Sequence, residues 1–135
     1  MNIVLDTNCL LVALPVKSPY YWLWQAFRNR KITLCYTNDI LLEYHEVLAR
    51  FYPLVFVNEV INELLYSENV NQVTNFYRWN LIISDLDDNK FADCALNSGA
   101  EYIVTNDKHF NILKDIPFPK MEVIDIITFK QIIYS

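Results

Sequence analysis

Five short apolar runs, each followed by a stretch of helical character, leave this chain few folds to choose from. The runs cover residues 2–6, 32–37 ("ITLCYT"), 80–84 ("NLIIS"), 102–105 ("YIVT") and 122–125 ("EVID"). They are rich in Ile and Val and lack the polar alternation of a half-solvated sheet. Buried strands of this kind, separated by helices, imply a parallel sheet covered on both faces. The expected class is therefore α/β: a three-layer α/β/α sandwich around a central, mainly parallel five-stranded sheet. At 135 residues one domain over 1–135 is expected.

The helices between the runs carry their own punctuation. A short helix from Thr7 to about Leu14 stops at Pro15. Ser18-Pro19 reads as an N-cap and first helical position for "YYWLWQAFRNRK". Thr37 or Asn38 caps "NDILLEYHEVLARF", whose apolar face is Ile40, Leu41, Tyr44, Val47, Leu48 and Phe51. Pro53 starts the next helix, and a weaker one is expected near 69–77. Asp88 opens a helix that Gly99 closes, since glycine accepts the left-handed conformation past a last turn. Short helices at 107–113 and 128–134 complete the pattern.

Gly99 is the sole glycine, and that excludes much chemistry. A dinucleotide fingerprint, a phosphate-cradling P-loop and a nucleophile elbow all need glycines that are absent. Two histidines, His45 and His109, cannot make an H-E-x-x-H zinc helix. Cys9, Cys35 and Cys94 are odd in number and sit in apolar segments, so they read as reduced core thiols. No apolar run approaches the ~20 residues of a membrane span, and Asp6 interrupts the first run. A soluble, cytoplasmic protein is expected.

In parallel sheets ligands bind outside the carboxyl ends of the strands. Asp6 ends the first run and Asp107 follows the fourth by two residues. Asp88 begins a helix, and Glu43 lies two turns into another. Each has an ordinary reading alone: Asp6 or Asp107 as a helix cap, Asp88 as a dipole complement, Glu43 as part of a solvated face with Glu46 and Arg50. Gathered at one sheet edge they would repel one another, and a cation is the simplest reason to gather them. Oxygen ligation favours Mg²⁺ or Mn²⁺ over zinc. Asp85, Asp87 and Asp93 compete for the role of Asp88, and Asp93 is also a candidate to reach the site through water. The net charge of −5 argues against a polyanionic partner. Assigning four of the sixteen acids to a metal site leaves twelve against eleven Lys and Arg, which weakens that objection.

Four segments together resemble the PIN domain, specifically its branch of toxin components of toxin–antitoxin pairs: "VLDTN", "LLEYHEVLAR", "DLDDNKFADCAL" and "YIVTNDKHF". The resemblance runs in order over nearly the whole chain. It implies a divalent-metal-dependent nuclease, an endoribonuclease that hydrolyses phosphodiester bonds in single-stranded RNA. By motif position it carries over Asp6, Glu43, Asp88 and Asp107 as catalytic and metal-binding acids, with Mg²⁺ or Mn²⁺ as cofactor. Asn8 and Thr105 match its supporting polar positions, and Asn106 stands where many relatives have glycine. Lys90, Lys108 and His109 lie beside the acids as candidate RNA contacts. A cognate antitoxin and a homodimer or higher homo-oligomer are the implied partners, with the aromatic helix 19–30 as the expected contact surface. The competing reading is a catalytically inactive PIN-like interaction module. Haloacid-dehalogenase chemistry lacks its second Asp, since Asn8 stands there, and a receiver domain would want a lysine where "EVIDI" has Asp125.

Overall fold

The computed structural model of the protein describes residues 1–74, 88–116 and 119–135. Five strands, β1 (Asn2–Leu5), β2 (Thr33–Tyr36), β3 (Val70–Gln72), β4 (Tyr102–Val104) and β5 (Val123–Ile124), form one sheet in the order β3-β2-β1-β4-β5. Every pairing is parallel. Among the described residues six α-helices connect or flank them: α1 (Thr7–Ala13), α2 (Tyr21–Arg28), α3 (Asn38–Phe51), α4 (Leu54–Tyr66), α5 (Asn89–Ser98) and α6 (Ile126–Ile133). A 3-10 helix spans Lys108–Asp115.

The sheet interior is as apolar as its sequence. Ile3, Val4, Cys35, Ile103 and Val104 are fully buried. Each such aliphatic side chain contributes roughly 1.5–3 kcal/mol by leaving water. The helix α5 packs against β1, β2 and β4, while Phe129 of α6 lies 6.3 Å from the ring of Tyr102 on β4. Three free thiols, Cys9, Cys35 and Cys94, are buried in the core.

The caps fall close to their expected places. Thr37 accepts a hydrogen bond from the Ile40 amide at 3.3 Å. Gly99 ends α5 at φ 69° in the left-handed region. Two expectations need correction. Residues 70–72 form β3, not part of a helix over 69–77, because they pair in register with Leu34, Cys35 and Tyr36. The expected strand at 80–84 lies outside the described residues. Helix α2 starts at Tyr21, two residues late: Ser18 instead closes a turn, accepting from the Tyr20 amide at 3.1 Å and donating to the Val12 carbonyl.

The aromatic surplus of α2 also has an intramolecular explanation. Trp22 packs 6.2 Å from Phe129 and 5.9 Å from Tyr134, both from the last helix and its end. Leu23, Trp24 and Phe27 are buried on the other side. The helix expected as a contact surface is covered by its own chain on two sides. Phe51, expected on the buried face of α3, is instead exposed, as are Leu54 and Val55 just beyond it.

Candidate metal centre

Strand order decides where the site lies. From β1 the chain runs outward to β2 and β3, then returns to place β4 on the other flank of β1. The reversal opens a crevice at the carboxyl ends of β1 and β4, where parallel sheets bind ligands. The register aligns Leu5 with Val104, so Asp6 and Thr105 leave the sheet side by side. The Asp6 amide extends the ladder by donating to the Val104 carbonyl at 3.1 Å.

That pairing fixes the first carboxylate. The Thr105 hydroxyl donates to Asp6 Oδ2 at 2.9 Å, and the Asp107 amide donates to Thr105 Oγ1 at 2.9 Å. Thr105 therefore couples the two acids through one buried hydroxyl. Burial pushes the Asp6 carboxyl up from 3.8 to about 6. The bonds from Thr105 and the Thr7 amide oppose that rise, and the charges of Asp107 and Glu43 add to it. Asp6 occupies the N-cap position of α1, yet beyond the Thr7 amide its side chain makes no cap bond to the helix.

Asp107 does act as a cap. Its Oδ1 accepts from the His109 amide at 2.9 Å, which starts the 3-10 helix. The same turn brings the imidazole round: His109 Nδ1 is 3.4 Å from Asp107 Oδ1 and 3.9 Å from Asp88 Oδ2. Among the described residues, Asp88, Asp107 and His109 can each offer one ligand atom within 4.8 Å of the others. Asp88 reaches this cluster from the start of α5 and is largely buried. A convergent set of two carboxylates and an imidazole, beside a third buried carboxylate, fits a divalent cation.

Glu43 is placed differently. Its Oε1 is 2.6 Å from the Lys90 ammonium, and its Oε2 accepts from the Thr7 hydroxyl. The pair is only about a quarter exposed. Glu43 thus lies near enough to Asp6 to raise its pKa but is held by Lys90 and Thr7 and is not one of the three converging donors. Neither partner was named for it from the sequence. Their pairing depends on how α3 meets α1 and α5, which no local spacing reveals.

The remaining expected residues divide between rim and backing. Asn8 is exposed and lines a cleft of about 290 Å³ with Asp6, Cys9, Val12, Tyr20, Asn106 and Asp107. Asn106 keeps a negative φ, and its side chain accepts from the Ile126 amide at 3.2 Å, tying the exit of β4 to α6. Asp93 is buried on α5 and is not one of the converging donors. Lys108 is exposed beside Asp107. Asp85 and Asp87 lie outside the described residues.

Against this geometry, the profile of the PIN domain matches residues 2–109. The chain belongs to the PIN domain family. No curated protein sequence matches it significantly. Among solved structures it is similar to VapBC2 from Rickettsia felis bound to a promoter DNA fragment, at 17% identity and a TM-score of 0.64. That alignment covers 93% of this chain and 98% of the other. It is also similar to FitAcB from Neisseria gonorrhoeae, at 14% identity and a TM-score of 0.57, over 92% and 97% of the two chains. FitAB bound to an IR36 DNA fragment gives 13% identity, a TM-score of 0.56 and coverage of 92% and 94%. At these identities the likeness speaks to the fold, and it bears out the parallel α/β sandwich expected from the apolar runs and the PIN-like form that the resemblance implied.

Proposed function

We propose that this PIN domain is a divalent-metal-dependent endoribonuclease acting on single-stranded RNA, and that it is the toxin of a toxin–antitoxin pair. The observation that carries the proposal is the convergence of Asp88, Asp107 and His109 beside buried Asp6, at the carboxyl ends of β1 and β4, where parallel sheets bind ligands. The fold likeness to VapBC2 and FitAcB supports the toxin reading and the antitoxin partner.

Asp6, Asp88 and Asp107 are the acids we assign to hold Mg²⁺ or Mn²⁺. When bound, such an ion supplies a water of lowered pKa and stabilises charge at the phosphate. The chain's own residues do the positioning. Thr105 fixes the face that Asp6 presents, and we assign Asp93, buried on α5, a supporting role through water. Glu43 keeps the role of an acidic site residue by anchoring Lys90, whose ammonium then meets a phosphate oxygen at the edge of the site. Asn8 and Lys108 stand on the solvent side, where the RNA backbone approaches. No side-chain nucleophile is required. A partner, whether antitoxin or second copy, finds exposed apolar side chains at Phe51, Leu54 and Val55.

The test is direct. Purified protein cleaves single-stranded RNA with Mg²⁺ or Mn²⁺ and stops with EDTA. Asp6→Asn and Asp107→Asn each remove most of the cleavage while the fold persists. Full cleavage by a folded Asp6→Asn protein, or cleavage indifferent to EDTA, overturns the assignment.

A further inference from the structure

We propose that His109 is a nitrogen ligand of this metal centre and biases it toward Mn²⁺ over Mg²⁺. The inference rests on the proposed metal-dependent function and names a residue and an ion preference within it. It begins with placement. Asp107 caps its own 3-10 helix through the His109 amide, and that turn carries the imidazole back over the site. Nδ1 then stands 3.4 Å from one carboxylate oxygen and 3.9 Å from another. Ligands sharing one ion at bonds of about 2.0–2.2 Å lie roughly 3 Å apart at right angles and about 4.3 Å apart when opposed. Both separations fall inside that window, and all three donor atoms lie within 4.8 Å of one another, close enough to share one ion after small adjustments.

The donor chemistry then sets the preference. Mg²⁺ is a hard ion that holds oxygen ligands and keeps its waters. Imidazole nitrogen suits later divalent ions better, and Mn²⁺ accepts nitrogen alongside carboxylate oxygen at small cost. A site of carboxylates alone discriminates between the two ions less strongly. His109 is half exposed, and its backbone makes the cap, so changing its side chain leaves the cap in place.

The experiment uses the full chain with Mn²⁺ or Mg²⁺ alone and no RNA. Mn²⁺ affinity is measured from the electron paramagnetic resonance signal of the free ion, and Mg²⁺ affinity by competition. Pulsed measurements on bound Mn²⁺ read directly coordinated ¹⁴N. The wild type is expected to show ¹⁴N coupling. His109→Gln loses it, with Mn²⁺ binding weakened ~10-fold and Mg²⁺ binding changed by no more than ~2-fold. His109→Asp restores an oxygen donor: Mg²⁺ binding is retained, ¹⁴N coupling is absent, and the Mn²⁺ to Mg²⁺ preference falls. The other histidine, His45, bonds Asn58 at 3.2 Å between α3 and α4, and His45→Gln leaves the coupling unchanged. Circular dichroism confirms that the variants fold. Mn²⁺ bound without ¹⁴N coupling, or both ions weakened equally in His109→Gln, overturns the role of His109 and leaves the carboxylate centre standing. Failure of the wild type to bind either ion overturns both.

Discussion

Asp6→Asn is expected to stabilise the metal-free protein at neutral and alkaline pH. Burial raises Asp6 from 3.8 to about 6, so folding favours its protonated form. At ~1.4 kcal/mol per pH unit, holding it ionised costs about 3 kcal/mol above pH 6. The sign follows from the raised folded value. The contribution to stability is fully present below pH 3.8, falls as pH rises toward 6, and is gone above it. Asparagine is nearly isosteric, carries no charge and keeps an oxygen for the Thr105 hydroxyl. Its added amide donors also face the acids nearby. A net gain of ~1–3 kcal/mol at pH 8 is expected, or several degrees in Tm for a domain of this size. Thermal melts in EDTA from pH 4 to pH 8 measure it: the curves approach each other at pH 4 and separate by pH 8. Metal at ten times its Kd adds ~1.4 kcal/mol to the wild type and less to the variant, so the gap narrows. Asp115→Asn, at the far end of the 3-10 helix, does neither. An offset equal at pH 4 and pH 8, or a variant less stable at pH 8, refutes the reasoning.

Thr105→Val removes the donor to Asp6 and the acceptor of the Asp107 amide, costing ~1–3 kcal/mol in chemical denaturation and moving the Asp6 titration upward by nuclear magnetic resonance. Gly99→Ala costs about 1 kcal/mol through its positive φ alone, because nothing lies within 4 Å of the added methyl; an unchanged denaturation midpoint refutes this. Lys90→Met releases Glu43 and is expected to weaken RNA binding while reducing its salt dependence, read by titration at two salt concentrations.

The residues that announced themselves did so through local physics. Val4, Ile103 and Val104 mark strands because nothing but a doubly covered sheet buries such runs. Thr37 and Gly99 mark helix ends because the backbone groups there need a particular partner or angle, whereas Asp88 opens α5 without a side-chain cap bond. Asp6 and Asp107 were legible as a pair for the same reason: both follow buried strands, and parallel pairing brings strand ends together. What stayed hidden depends on contacts across the chain. Val70-Asn71-Gln72 is polar and short, and only its pairing with β2 makes it a strand. Trp22 looked like a surface for a partner because no periodicity discloses that Phe129 and Tyr134 would cover it. His109 was visible as a neighbour of the acids, but its approach to Asp88 required the turn that Asp107 caps.

A net charge of −5 remains at odds with an RNA substrate until the charges are placed. Asp6, Glu43, Asp88 and Asp107 concentrate negative charge at one end of the sheet, so much of the chain's acidity is local to the proposed centre. Lys90 already sits within that group, 2.6 Å from Glu43. A divalent ion held by the other three would leave the site close to neutral, with Lys90 and Lys108 beside it. Long-range attraction of RNA by the protein is then weak, and recognition falls to short-range contacts with the ion and the two lysines. On this reasoning the metal does more than activate water. It converts a repulsive edge into one that tolerates a phosphate, so RNA binding itself should depend on the ion. Filter binding of a non-cleavable RNA analogue in Mn²⁺ and in EDTA measures that dependence. Equal affinity in both would show that the phosphates are held elsewhere on the surface, and that the charge balance drawn around Asp6 and Lys90 is wrong.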